Sequence, residues 1–468
     1  MSQRFIVAAT LASAAVLWPT GYAASATPDE KPGLTVGVGK SDITPPKAEL
    51  PPGMMIRDPL GARAILVRSG MTCAVLVGVD QGGTTNAVMD LALPEVRKIT
   101  GCPESSIIVS ATHTHSGSAM GPDGDPKRVA TGIIAAVTQA AASQQPVRIG
   151  FGKVDVDLNS NRDFYDHKQR WVQANNPEGP SDKEMSVVGF IASDGRPIAL
   201  YLNYAMHPVN FFMSGVISAD FAGGASRFLE GRYGADTVAI FAEGAAGDQN
   251  PRLLGLPNQL IMAALNAPPI DERVGAPPPW ESGPGSGAPP QPGTRDPQRY
   301  NAAYAEVSAG VDAMSWVIGQ SAARLLRSPE FQLMESADIH SVQTRITCPG
   351  RVPKGHPIMP GGINETPEYA DADPIEIKLG MLRIGDVHFG SVNAEVYNEI
   401  GMRLKRQAPV SKLMIVTLAN GLAASGYIYS DAASERRTFQ VLSSRLKPGC
   451  AEDKIVEANL KMISDIQR

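Results

Sequence analysis

Short runs of apolar residues, separated by polar and glycine-containing segments, dominate the hydrophobic pattern of this 468-residue chain. Val, Ile and Leu predominate in these runs, and some runs lack the apolar–polar alternation of a half-exposed strand. That pattern is typical of strands buried on both faces. The runs cover residues 64–67, 74–78, 107–110, 198–203, 237–241 and 414–418.

Segments with apolar residues at helical spacing lie between the apolar runs. They cover residues 128–143, 220–232, 308–326 and 395–406. Because helices and strands are mixed along the whole chain, the pattern predicts an α/β fold with mixed β-sheets flanked by helices. We expect a single large domain over residues 27–468.

Two segments interrupt this pattern. Residues 268–297 are crowded with proline and glycine, as in "GAPPPWESGPGSGAPPQPG". Such a composition does not build a packed core, so it predicts a long insertion loop. The composition of residues 351–374 predicts a second long surface loop. Loops of this length often cover or line a site.

The first 26 residues have the layout of a signal peptide. Arg4 supplies a positive charge, residues 5–18 form an apolar core, and Ala24-Ser25-Ala26 gives a cleavage site. The alternative is a membrane anchor, but the apolar run is shorter than the roughly 20 residues that span a bilayer. No later segment is apolar enough to span. The sequence therefore predicts a periplasmic or secreted protein with no stable membrane span.

Composition and charge exclude some functions. Hydrophobic residues make up 43% of the chain, as expected for a globular core, and the net charge is −5 with no Lys/Arg cluster. Nucleic acid is therefore not expected as a partner. The four cysteines are widely spaced, which argues against a zinc knuckle. One or two disulfides of undetermined pairing, or buried free thiols, fit the sequence equally well.

The stretch "SATHTHSGSAM" holds two of the seven histidines, His113 and His115, directly after an apolar run. Residues two apart on an extended segment point to the same side, so if residues 106–112 form a strand, both imidazoles leave its end on one face, as a metal ligand and a neighbouring acid or base would. Two ordinary surface histidines would fit as well. His207 also follows a predicted strand, and Glu395 is expected at a helix start, although each residue alone is more often structural.

Seven motifs occur in the order found in the neutral/alkaline non-lysosomal ceramidase family, in its N-terminal catalytic domain. They are "VGVGKSDITPP", "SATHTHSG", "NSNRDF", "MHPVNF", "FAEGAAGDQNPR", "NAEVYNEIG" and "LANGLAASGYI". The second is the most specific of them. On these motifs the chain resembles a short bacterial member of that family.

This resemblance implies a zinc-dependent amidase. The implied metal ligands are His113, His207, Glu395 and Tyr427, while Tyr429 would replace Tyr427 if the alignment slipped by two residues. The pair implied to face the reacting carbonyl is His115 and Arg162. The implied reaction is attack of metal-bound water on an N-acylsphingosine-like amide. Zn²⁺ suits this ligand set, although manganese or iron would accept similar donors.

The chain departs from the family pattern at three points. Asn250 stands where the ceramidases carry a serine, and an amide cannot serve as a nucleophile in its place. Phe439 stands where the family has a tyrosine. We also expect no C-terminal β-sandwich domain.

Two other functions remain open from the sequence. One is an esterase or amidase that uses the same zinc site on a small soluble metabolite. The other is a non-catalytic metal-containing binding protein. The retention of His115 and Arg162 beside the implied ligands argues against the latter, since a structural zinc needs neither residue.

Overall fold

The computed structural model describes residues 33–118, 124–167, 169–267, 295–354 and 367–467. The predicted signal peptide and most of the predicted insertion loop lie outside these described residues. From Pro32 onward the chain forms one compact unit. None of the helices described in these ranges combines the length and apolar character needed to cross a membrane.

The strands and helices follow one another along the chain without a division into an all-α and an all-β part. The strands are β1 (Leu34–Asp42), β2 (Met55–Ile56), β3 (Gly61–Ser69), β4 (Thr72–Val79), β5 (Ile107–Ala111), β6 (Gln145–Pro146), β7 (Arg148–Asp155), β8 (Asn159–Tyr165), β9 (Trp171–Asn176), β10 (Glu184–Ile191), β11 (Pro197–Tyr204), β12 (Val216–Ile217), β13 (Val238–Glu243), β14 (Gln249–Pro251), β15 (Leu333–Met334), β16 (Ile339–Pro353), β17 (Tyr369–Ile384), β18 (Val387–Val392), β19 (Glu395–Val396), β20 (Leu413–Val416) and β21 (Tyr427–Ile428). The helices are α1 (Asn86–Thr100), α2 (Pro126–Ala142), α3 (Asp220–Tyr233), α4 (Gly255–Ala264), α5 (Pro297–Leu325), α6 (Asn398–Gln407), α7 (Phe439–Ser443) and α8 (Ala451–Gln467).

Three sheets carry the architecture. Their strand orders are β5-β4-β3-β1-β6, β13-β11-β10-β7-β15 and β16-β17-β18-β20. Each sheet contains one parallel pair, namely β4 with β5, β11 with β13, and β18 with β20, while its other pairs are antiparallel. The predicted α/β fold with mixed sheets is confirmed.

The three sheets share one apolar core, and helices cover their other faces. The shared core contains Ile65, Tyr201 and Phe389, one from each sheet. Helices α1 and α2 cover the first sheet, α3 to α5 the second, and α6 and α8 the third. Strand β3 shows how the sequence pattern arises, because Ile65 faces the shared core while Leu66 faces the helices.

Several predicted boundaries were wrong. The helix predicted from Glu395 begins only at Asn398, and Glu395 itself lies in β19. The predicted loop over residues 351–374 contains the ends of two long strands, since β16 runs to Pro353 and β17 begins at Tyr369. Backbone pairing between these strands supplies the hydrogen bonds that a loop would have left unpaired. Pro297, assigned to the insertion loop, is the first residue of α5.

All four cysteines form disulfides, so the alternative of buried free thiols is wrong. Cys73 in β4 is bonded to Cys102, which directly follows α1. Cys348 in β16 is bonded to Cys450, which directly precedes α8. The second bond closes a loop of 102 residues and ties the edge of the third sheet to its covering helix.

Candidate metal centre

The carboxyl ends of the parallel strand pairs supply most of the candidate site. His113 and His115 follow β5 in the first sheet, and His207 follows β11 in the second. Glu395 follows β18 in the third sheet. Ligands converge at such strand ends because the chain leaves the sheet there and the side chains are no longer committed to the core.

His113 is held in an uncommon backbone conformation. Its φ of 65° lies in the left-handed region, which costs a residue other than glycine on the order of 1 kcal/mol or more. The backbone N–H groups on either side keep the turn in place, with Thr112 donating to Val79 and His115 donating to Pro208. The expected extended continuation of β5 is therefore wrong, although both imidazoles still reach one place.

Backbone carbonyls fix the rings of His113 and His207. The Nδ1 of His113 donates to the carbonyl of Gly82 at 2.5 Å, and the Nδ1 of His207 donates to that of Ala246 at 2.7 Å. With the proton on Nδ1, each neutral ring presents a lone pair on Nε2. Metal-binding histidines are commonly oriented in this way. Among the described residues, no carbonyl accepts a hydrogen bond from the Nδ1 of His115.

The Nε2 atoms of the three histidines lie close to one another and to the carboxylate of Glu395. The Nε2 of His113 lies 3.1 Å from that of His207 and 3.2 Å from that of His115. The Oε2 of Glu395 lies 3.1 Å from the Nε2 of His207 and 3.3 Å from that of His113. Two lone pairs and a carboxylate this close together need a cation between them, either a proton or a metal ion.

The pKa shifts within the cluster agree with the need for a cation there. Burial lowers the pKa of His113, but the carboxylates of Glu243 and Glu395 more than offset it and raise that pKa to about 9. Burial opposes ionisation of Glu395, yet the imidazoles of His113 and His207 hold its pKa well below its usual range. Burial and the two neighbouring imidazoles lower the pKa of His115, so this ring is neutral at pH 7.

Tyr427 lies beside the cluster and Tyr429 does not. Strands β19 and β21 pair in parallel with Glu395 opposite Tyr427. The hydroxyl of Tyr429 instead donates to the carbonyl of Leu446 at 3.0 Å. Phe439 packs edge-on against Tyr427, with ring centroids 5.8 Å apart. The geometry therefore favours Tyr427 over Tyr429 as a ligand.

Arg162 is buried behind Tyr427. Its Cζ lies 5.5 Å from the centre of the Tyr427 ring. Its Nη2 donates to the carbonyl of Gly247 at 2.7 Å. The site is tight at Gly247, since a Cβ there would lie 3.0 Å from the Val396 backbone. Arg162 is not among the residues that line the cavity above the cluster.

Sequence reasoning missed Glu243, the last residue of β13. This carboxylate is 1% exposed, and its Oε1 lies 3.7 Å from the Nδ1 of His207. Oε1 has no hydrogen-bond partner among the described residues. Burial raises the pKa of Glu243 to about 8. The available signal was a single glutamate directly after a buried apolar run.

We expect Glu243 to make the metal-free protein less stable as pH rises. Between about pH 5 and pH 8 the folded carboxyl keeps a proton that the unfolded chain has released, so stability falls with rising pH. Glu243→Gln should therefore gain in melting temperature relative to the parent, by on the order of a few degrees, between about pH 5 and pH 9. Chelator-treated protein would be melted across this range, with Glu306→Gln, at an exposed glutamate of α5, as control. A difference that stays constant with pH would contradict the expectation.

A cavity of about 580 Å³ opens above the cluster. His113, His115 and Glu395 contribute to its lining. Its other walls come from the mainly apolar segments around residues 51–54, 211–216 and 418–426 and from the polar segment 114–118. The ring of Phe212 packs edge-on against that of His115, with centroids 5.3 Å apart. The candidate centre thus lies at one end of an apolar pocket of the size that encloses small organic ligands.

The residues present fit a divalent metal such as zinc. The three imidazoles each offer a nitrogen, and these nitrogens lie within 4.8 Å of one another. Glu395 and Tyr427 add oxygen donors, which gives the mixed nitrogen and oxygen set of catalytic zinc sites. His113 and His207 are oriented by carbonyls as ligands are, whereas His115 is not.

Similarity to known proteins covers part of the sequence and most of the fold. No protein-family model matches the chain. Neutral ceramidase from Pseudomonas aeruginosa is 28% identical over 249 residues, which is 46% of this chain and 37% of that protein. The matched stretch thus spans less than half the length of the relative. Its crystal structure superposes with a TM-score of 0.67 at 18% identity, covering 94% of this chain and 75% of that one.

A second solved structure, a ceramidase complexed with C2, gives the same TM-score at 18% identity. It covers 93% of this chain and 75% of the other. At 18% identity the superposition shows similarity of the fold alone. The resemblance identified from the ordered motifs is confirmed, since neutral ceramidase matches this chain both in sequence and in fold.

Proposed function

Because the chain is neutral-ceramidase-like in sequence and fold, we propose that it is a zinc-dependent hydrolase that cleaves the amide bond of an N-acyl lipid such as ceramide. One observation carries the proposal. The ring nitrogens of His113 and His207 meet the carboxylate of Glu395 at the end of a cavity with apolar walls.

In this proposal His113, His207, Glu395 and Tyr427 hold the metal. A zinc ion in such a site supplies a Lewis acid and lowers the pKa of water to about 7. The first two ligands bind through Nε2, because their Nδ1 atoms are engaged by carbonyls. The carboxylate of Glu395 balances part of the metal charge.

His115 and the cavity walls act on the substrate. His115 lines the cavity with its ring edge-on to Phe212, so it is placed to accept a proton and return one to the leaving amine. Arg162 places a fixed positive charge behind Tyr427, which favours negative charge developing on the reacting carbonyl oxygen. The apolar walls hold the acyl chain and exclude water from around the amide.

We also propose that the protein is exported. Two disulfides are typical of oxidising compartments such as the periplasm. The segment predicted to be a signal peptide lies outside the described residues. Cell fractionation that finds the protein in the cytoplasm would contradict this part of the proposal.

The proposed function is tested with N-acylsphingosines of short and long acyl chain. We expect turnover that favours the long chain, is lost on chelation and returns with zinc. Equal rates for both chains would favour a small-metabolite amidase. Failure to hydrolyse any amide or ester with metal present would leave the non-catalytic binding protein.

The apolar wall gives a sharper test through Leu422. Leu422→Gln replaces an apolar side chain in the cavity by a polar one and should raise KM for the long-chain substrate about 10-fold, because about 1.4 kcal/mol of apolar burial is lost. KM for an N-acetyl substrate should change little. Leu91→Gln, at an exposed leucine of α1, is the matched control. The same rise in KM for both substrates would contradict a role of this wall in binding the chain.

A further inference from the structure

The side chain of Asn250 is hydrogen-bonded to the guanidinium of Arg162. The Nη1 of Arg162 donates to the Oδ1 of Asn250 at 3.3 Å, and both side chains are at least 96% buried. Asn250 itself is fixed by the backbone, because β14 pairs with β8 in a register that sets it opposite Ser160. The backbone N–H of Arg162 also donates to the carbonyl of Asp248, at 2.9 Å. The donor and the acceptor therefore have little freedom to move apart.

The other side of the guanidinium contacts the candidate centre. The ring of Tyr427 lies 5.5 Å from the Cζ atom of Arg162, within range of a cation–π contact. Tyr427 in turn lies opposite Glu395 in the parallel pairing of β19 and β21. A continuous series of contacts thus runs from Asn250 through Arg162 and Tyr427 to Glu395.

We propose that Asn250 is a positioning residue, whose amide oxygen fixes the guanidinium of Arg162 so that Tyr427 is held beside Glu395. An amide suits this task because it accepts a hydrogen bond without charge. A carboxylate would accept the same bond but would neutralise Arg162, and a serine hydroxyl is on a shorter side chain. The kinetic part of the proposal rests on the proposed function, whereas its metal-binding part does not.

The test measures zinc affinity by competition with a chelator, without substrate. Asn250→Ala should weaken zinc binding about 10-fold, as the loss of a residue supporting metal ligands typically does. Asn250→Asp should restore zinc affinity to within about 3-fold of the parent, because its carboxylate accepts the same hydrogen bond. Turnover by Asn250→Ala should show kcat lowered about 10-fold with KM within about 2-fold of the parent.

Asn459→Ala is the matched control, since Asn459 is buried in α8 and bonds only to the carbonyl of Ile455 among the described residues. It should keep the zinc affinity of the parent. Parental zinc affinity in Asn250→Ala, equal losses in both alanine variants, or failure of Asn250→Asp to restore affinity would each overturn the proposal. If the parent hydrolyses no amide but Asn250→Ala still loses zinc affinity, the proposed function fails and the positioning role stands.

Discussion

Replacing His113 by alanine is expected to abolish tight zinc binding and to lower amide hydrolysis by at least about 10³-fold, since the metal stabilises transition-state charge by several kcal/mol. His113 is central to the cluster, because its Nε2 lies within 3.3 Å of His207, His115 and Glu395. The hydrogen bond from its Nδ1 to the Gly82 carbonyl orients the ring so that Nε2 faces these three residues. Metal content and kcat/KM of the purified variant would be measured together.

His388→Ala is the control for this variant. His388 is also a buried histidine with its Nδ1 bonded to a backbone carbonyl, but it lies in β18 away from the cluster. It should keep both zinc and activity. A normal zinc content in His113→Ala would show that His113 is not a ligand.

His115→Ala should keep its zinc and lose about 10²–10⁴-fold in rate, which is the usual contribution of a general acid or base. The distances alone allow His115 as a third histidine ligand, since its Nε2 is 3.2 Å from that of His113. The remaining contacts of the His115 ring favour the proton-transfer role over the ligand role. No backbone carbonyl of the described residues orients it, and it lies edge-on to Phe212 in the cavity wall.

Zinc content and pre-steady-state kinetics on the same preparation separate these roles. A proton-transfer role leaves zinc affinity within about 3-fold of the parent and slows the chemical step. If His115→Ala lost the metal while His113→Ala kept it, the two histidines would have the reverse roles.

The sequence predicted the parts of the fold that depend on local pattern. Each of the six apolar runs overlaps a strand, because a strand buried on both faces needs little besides apolar β-branched residues. The helix predicted from Glu395 was wrong in its start because β19 is only two residues long. Its partner β21 lies some 30 residues further along the chain, and no local pattern reveals such a pairing.

The motif resemblance supplied candidate site residues, whose roles stay a prediction, but it did not supply the contacts among them. The motif resemblance named Arg162 and Tyr427, yet only the structure brings Arg162 against the face of Tyr427 and away from the cavity lining. Glu243 was missed because its significance depends on burial beside His207, and the sequence records only that it follows an apolar run. Such contacts arise from packing between sheets, which periodicity does not encode.

The three sheets that share one core also share the candidate centre, and this gives a bound metal a mechanical role. His113, His207 and Glu395 follow strands of the first, second and third sheet respectively. A metal ion held by all three would act as a cross-link between the sheets, in addition to their apolar packing and to hydrogen bonds such as that from the side chain of Asn203 in β11 to the carbonyl of Ile415 in β20. Its binding energy would then count toward the free energy of unfolding of the whole unit. Catalytic competence and resistance to unfolding would thus be gained and lost together.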